Sequence, residues 1–152
     1  MSVGDKMADL IDPWASFSLD YDKLVNQFGI GKISDIIDDV ENPQRLMKRG
    51  VIFGHREFNE INNLINQNKE FAVVTGMMPS GQMHIGHKMV VDQLKWYQEK
   101  GAMLSLPIAD LESYAARGMS FEQGREIAVN EYLTNWIALG LDLEKDNVNV
   151  YL

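Results

Sequence analysis

The chain has 152 residues, 22 acidic against 14 basic side chains for a net charge of −8, and 45% apolar content. That size and balance suit an ordinary globular domain with a real core and exclude a disordered or fibrous chain, while the acidic excess argues against this segment as the main grip on a polyanion. With no cysteine there is no disulfide frame or thiolate metal site; no apolar run reaches membrane-spanning length and the first residues lack a secretory pattern, so a cytoplasmic location with no membrane partner is expected.

The front of the chain predicts short helices with clear stops. Asp20 caps one carrying Tyr21, Leu24, Val25 and Phe28 and ended by Gly29. Ser34 starts a second over residues 35–41, and Pro43 opens a third before Gly50. Residues 1–55 therefore read as a mainly helical N-terminal extension, and residues 56–152 as an α/β domain. In that second part, residues 56–66 predict a helix with Phe58, Ile61, Leu64 and Ile65 on its apolar face, and residues 71–75 a buried parallel strand stopped by Gly76.

Gly76, Met77, Met78, Pro79, Ser80 and Gly81 follow as a loop in which glycine permits close backbone approach and proline stiffens the path. A helix begins near His84, with Ile85, Met89 and Trp96 near one stripe, Val90, Leu94 and Tyr97 extending it, and Lys100-Gly101 as its stop. Residues 103–108 predict the second strand, with Pro107 near its end. Ser120 and Gln123 form a capping box for a helix running to about Leu139, with Ile127, Ala128, Trp136 and Ile137 among its apolar residues and Gly140 after it. Residues 148–152 are a third strand. This alternation implies a Rossmann-like parallel sheet with ligands at the carboxyl ends of its strands.

The chemistry gathers at His84-Ile85-Gly86-His87. The two histidines lie three residues apart in the first turn of a helix, beside free backbone N–H groups and the positive end of the helix dipole, so the spot is an anion site with two imidazole donors. Gly86 leaves bare backbone against which a base or ribose could lie. Two imidazoles at this spacing could also share a zinc ion, but zinc wants a third protein ligand that the sequence does not position, and no protein-bound metal is expected. Glu112, in Ala109-Asp110-Leu111-Glu112-Ser113-Tyr114, follows the second strand and sits at the ligand edge; the plainer reading is a surface carboxylate. Asp110 and Tyr114 are weaker candidates. Met89, Trp96 and Trp136 read as core, and His55 as a structural residue at a helix start.

Thr75-Gly76-x-x-Pro79-Ser80-Gly81-x-x-His84-Ile85-Gly86-His87 resembles the first signature of class I aminoacyl-tRNA synthetases. Asp12-Pro13-Trp14, residues 20–24 with Phe28-Gly29, and residues 49–56 resemble, in order and spacing, the N-terminal part of archaeal and eukaryotic tryptophanyl-tRNA synthetases. The resemblance runs from about Ile11 to Leu152. It implies a tryptophan–tRNA ligase: ATP, carried with Mg²⁺, would be bound by Gly76 to Gly81, His84, Gly86 and His87, and L-tryptophan by Val74, Thr75, Gly76 and Glu112, where a carboxylate can accept from the indole N–H, which only donates. It further implies tRNA(Trp) as the final acceptor, a homodimer, and a flap role for the Trp14 segment, which could equally anchor that segment to the core.

Several positions depart from the eukaryotic pattern. Those relatives carry a tyrosine before the threonine matching Thr75 and a glutamine near Pro107, whereas here Val74 and Pro107 stand there. The loop from Thr75 to His84 is one residue shorter than theirs, and Met77-Met78 replace an arginine and a glycine. The family's second signature, a lysine-bearing KMSKS-type loop, and an anticodon-binding helical domain are absent, so the chain is expected to be a fragment unable to aminoacylate alone. Rival readings are a tyrosyl-tRNA synthetase, a non-tRNA nucleotidyltransferase with an HxGH block, and a non-catalytic binding piece.

Overall fold

The computed structural model describes residues 25 and 28–152, and the Asp20 cap and the Trp14 segment lie outside them. The chain divides into two compact units, residues 1–60 and 61–152.

In the first unit, β1 (Gly31–Lys32) pairs antiparallel with β2 (Gly54–His55) in the register Gly31↔His55. The single helix predicted over residues 35–41 is instead two 3₁₀ turns, Ile33–Asp35 and Ile37–Asp39, broken at Ile36 with φ −126° and ψ −2°. The local composition explains the break. Ile33, Ile36, Ile37 and Val40 are β-branched, and Asp35, Asp38 and Asp39 compete for backbone hydrogen bonds, so a continuous helix is poorly favoured. Ile33, Val40 and Met47 form the buried core here, Met47 from the short helix α1 (Arg45–Lys48). His55 is structural: its Nδ1 accepts from the Phe58 N–H at 3.2 Å, opening α2 (Phe58–Asn66).

The second unit is built on a parallel sheet of order β3-β4-β5, with β3 (Ala72–Val74), β4 (Met103–Pro107) and β5 (Val148–Tyr151). The register pairs Val73 with Leu104 and Val74 with Ser105, then Leu106 with Val150 and Pro107 with Tyr151. β4 is central, and its alternate residues Leu104, Leu106 and the following Ile108 are almost fully buried. β3 departs from the predicted buried strand. Among the described residues it pairs on one side only, with β4, and Ala72 is exposed and Val74 is 69% exposed, because apolar composition alone does not say which strand faces are covered.

Helix α3 (Ile85–Glu99) turns Val91, Leu94 and Trp96 into the core, whereas Ile85, placed in the apolar stripe by the sequence, is 72% exposed in the first turn. Gln98 is buried and bonds both backbone groups of Asp142, donating from Nε2 at 2.7 Å and accepting at Oε1 at 3.0 Å. Helix α4 (Asp110–Arg117) ends in a left-handed Gly118. The Ser120/Gln123 capping box opens α5 (Phe121–Ile127), and a π-helical turn, Ala128–Leu133, joins it to α6 (Thr134–Ala138). Ala128, Tyr132 and Trp136 are all buried in one column. Residues four apart overshoot an α-turn by about 40°, and the wider π turn, marked by the Thr134 N–H bonding back to Val129, takes up that overshoot. Ile137 is the exception among the expected apolar positions, at 60% exposed. No described helix is long and apolar enough to cross a membrane.

Candidate functional site

The carboxyl ends of the three parallel strands lie along one edge of the sheet, and the glycine loop leaves β3 there. It first continues beside β4. The Met77 N–H donates to the Pro107 carbonyl at 3.2 Å, its own carbonyl accepts from the Ala109 N–H at 3.0 Å, and Met77 forms a parallel bridge with Ile108. A β-carbon on Gly76 would stand 3.2 Å from the Pro107 carbonyl oxygen, so the close approach of loop to strand favours glycine. The Met77 side chain is buried and both its backbone groups are used by the sheet.

Two buried hydroxyls hold the next residues. Tyr132 Oη donates to the Met78 carbonyl at 3.0 Å, and Ser113 Oγ donates to the Pro79 carbonyl at 3.1 Å. Ser80 and Gly81 continue to the surface, Gly81 at φ 155°, a backbone conformation that favours glycine.

At the start of α3 the two histidines meet, ring centroids 4.0 Å apart at 40°. His84 is the N-cap. Its Nδ1 accepts from the Gly86 N–H at 3.2 Å, and His87 Nδ1 reaches back to accept from the His84 N–H, also at 3.2 Å. This is a capping box made of imidazoles instead of hydroxyl and carboxamide. A ring nitrogen that accepts carries no proton, so both neutral rings bear theirs on Nε2. His87 Nε2 lies 3.4 Å from Tyr132 Oη, with the two rings edge-on at 5.3 Å. Since the tyrosine hydroxyl already donates to Met78, it faces His87 as an acceptor. His84 Nε2 has no hydrogen-bond partner among the described residues, and the residue is exposed. Burial, and secondarily the neighbouring His84, hold the His87 pKa below its ordinary value.

The pair is therefore asymmetric. His84 presents an open N–H at the positive end of a 15-residue helix, and His87 is a half-buried strut between that helix start and the loop. Gly86 sits between them. Of the other sequence candidates, Val74 is exposed on β3, Thr75 is half-buried with its N–H bonded to the Ser105 carbonyl at 3.2 Å, and Glu112 is exposed in the first turn of α4 at the same sheet edge. Asp110 is a helix-start residue: buried, its Oδ1 accepts from the Leu111 N–H at 2.8 Å and its Oδ2 lies 3.8 Å from Arg125 Nε. Tyr114 stacks on Phe121 at 4.6 Å. Among the described residues, no three His, Asp or Glu side chains are grouped to hold a metal ion.

Sequence reasoning missed Ser113 and Tyr132. Ser113 is spaced as an ordinary helix residue and Tyr132 as a core aromatic four residues from Ala128 and from Trp136. Only the hydroxyls in otherwise apolar positions hint at buried partners.

The family model for class I tRNA synthetases (W and Y) matches residues 66–152. The chain is 54% identical over 143 residues to a tryptophan–tRNA ligase of Methanocaldococcus jannaschii, covering 93% of this chain and 38% of that protein. It is 45% identical over 146 residues to the tryptophan–tRNA ligase of Methanopyrus kandleri, covering 94% and 39%. Among solved structures, tryptophanyl-tRNA synthetase from Aeropyrum pernix superposes with a TM-score of 0.79 at 42% identity, over 93% of this chain and 39% of that one. A tryptophanyl-tRNA synthetase from Encephalitozoon cuniculi bound to tryptophan gives 0.72 at 29% identity, over 86% and 41%. The chain thus spans about two-fifths of the length of these relatives. With the glycine loop and paired histidines at the edge of a parallel sheet, and a family match over more than half its residues, the chain belongs to the class I tRNA synthetases of the tryptophan and tyrosine type.

Proposed function

We propose that this chain supplies the nucleotide-binding part of a tryptophan–tRNA ligase, which activates tryptophan with ATP and transfers it to tRNA(Trp). The observation that carries the reading is the His84/His87 pair at the start of α3, directly behind the glycine loop. The identity to tryptophan–tRNA ligases supports tryptophan over tyrosine.

In the reaction, a tryptophan carboxylate oxygen attacks the α-phosphorus of ATP, the bond to the β-phosphate bridging oxygen breaks, and pyrophosphate leaves with Mg²⁺. The aminoacyl adenylate then passes its acyl group to a terminal tRNA hydroxyl and AMP departs. Neither step needs a protein nucleophile, so catalysis falls to positioning and to stabilising charge on the phosphate oxygens. His84 Nε2–H and the positive end of the α3 dipole supply that stabilisation. Gly86 leaves room for the ribose or base, and the loop from Gly76 through Met78, Pro79, Ser80 and Gly81 borders the triphosphate. Mg²⁺ rides on the phosphates, as is usual for this ion. Val74, Thr75, Gly76 and Glu112 border the tryptophan, Glu112 accepting from the indole N–H. The net charge of −8 supports most tRNA contact lying elsewhere in a protein that acts in the cytoplasm as a homodimer.

Amino-acid-dependent ATP–pyrophosphate exchange by the full-length protein tests this. Exchange with tryptophan and little with tyrosine is expected; exchange with tyrosine alone, or with neither, refutes it. His84→Ala should lower exchange at least about tenfold, within the range seen on removing one charge-stabilising donor. Unchanged exchange would remove the histidine from the mechanism.

A further inference from the structure

We propose that Tyr132 is a positioning residue for adenylate formation, its buried hydroxyl tying the His87 imidazole to the glycine loop through the Met78 carbonyl. The inference rests on the function proposed above and adds to it a residue outside the signature sequence.

Tyr132 is fully buried, between Ala128 and Trp136 in the column that crosses the π turn. A phenylalanine would fill that column equally well, so packing does not call for the hydroxyl, and a buried hydroxyl is costly unless it is bonded. Both of its neighbours belong to the candidate site. It donates to the Met78 carbonyl at 3.0 Å, and His87 Nε2 lies 3.4 Å away. The other side of the His87 ring accepts the His84 N–H at 3.2 Å. One hydroxyl therefore completes a chain from the loop, through Tyr132 and His87, to the backbone of His84, the residue whose Nε2–H faces the ligand space. A π turn placed at this tyrosine fits such a role, since these local insertions are frequent at functional sites. Tyr132 touches no substrate in this arrangement. Its effect is to fix the ring and tautomer of His87 and, through them, the helix start.

The test is a double-mutant cycle on tryptophan-dependent ATP–pyrophosphate exchange in the full-length protein. Tyr132→Phe is expected to lower kcat at least about fivefold while the KM for tryptophan moves less than about twofold; in a His87→Ala background the same change costs less than about twofold. Equal losses in both backgrounds, or no loss beside an intact His87, overturn the proposal. If His87→Ala is harmful and Tyr132→Phe harmless, the tyrosine role fails alone. A harmless His87→Ala fells the proposed function of that histidine and this role with it. Should Tyr132→Phe fail to fold, ¹⁵N-imidazole NMR of the unaltered chain decides: a single Nε2–H tautomer for His87 supports the chain of bonds, and an Nδ1–H tautomer overturns it.

Discussion

The Ser113 hydroxyl, fully buried on α4, donates to the Pro79 carbonyl oxygen at 3.1 Å, joining positions 34 residues apart. It also lies 3.4 Å from the Ala109 carbonyl, so one small side chain ties the loop after β3 to the helix after β4. Ser113→Ala removes the donor and leaves the Pro79 carbonyl without its partner. We expect a loss of about 1–3 kcal/mol in unfolding free energy, read by denaturant titration, together with a raised KM for ATP. A variant with unchanged stability and unchanged KM would show that the loop holds its shape without this bond.

Gly86 separates the two imidazoles. A β-carbon there would lie 3.0 Å from His84 Cε1 and 3.1 Å from His84 Nδ1, closer than ordinary contact. Gly86→Ala should favour the helix intrinsically by roughly 0.5–1 kcal/mol, yet push the exposed His84 ring away from the Gly86 N–H. The expected result is a melting temperature unchanged or raised alongside exchange activity lowered at least about fivefold. Activity equal to the unaltered protein would mean that the ring position is unimportant.

The His87 pKa lies below the ordinary 6.5, because burial, and then the neighbouring His84, disfavour its charged form. The unfolded chain therefore takes up this proton at a higher pH than the folded one, and stability rises with pH across that interval. The contribution is intact above 6.5 and is lost as the pH falls through the lower folded value. Protonation also fills Nδ1 and ends its acceptance of the His84 N–H. Comparing unfolding midpoints at about pH 7.5 and about pH 5.5, His87→Gln should show a smaller acid-induced drop than the unaltered protein. An equal drop would place the acid sensitivity elsewhere.

Trp136 is 1% exposed and closes the column of Ala128 and Tyr132. Trp136→Ala should cost about 3–5 kcal/mol through the lost apolar burial and the void it leaves. The expected readout is a large fall in melting temperature with loss of cooperative unfolding; a fall of only a few degrees would show that the surrounding helices collapse onto the space.

Much of the architecture was legible because it rests on local signals. Ser120 and Gln123 announced the start of α5, Lys100-Gly101 the end of α3, and the apolar runs at residues 71–75, 103–108 and 148–152 the three parallel strands, each within a residue or two. The continuous helix expected from Ser34 was not found, since β-branched and aspartate residues pull against a helix in a way that one cap does not reveal. Burial was harder still. Ile85, Val74 and Ile137 carry core-like side chains at exposed positions, because which face of an element is covered depends on its neighbours.

The sequence by itself determined the order of strand, glycine loop and histidine-capped helix. Only the tertiary structure decided that the two histidines are unequal, one open to solvent and one braced by a tyrosine 45 residues away. The physical reason is that the hydrogen-bond partners of a side chain, and so its tautomer and acidity, are set by whatever the fold brings within about 3 Å. Spacing along the chain encodes periodicity, but Tyr132 reaches His87 and Met78 only once α5, its π turn and α6 have packed against the sheet.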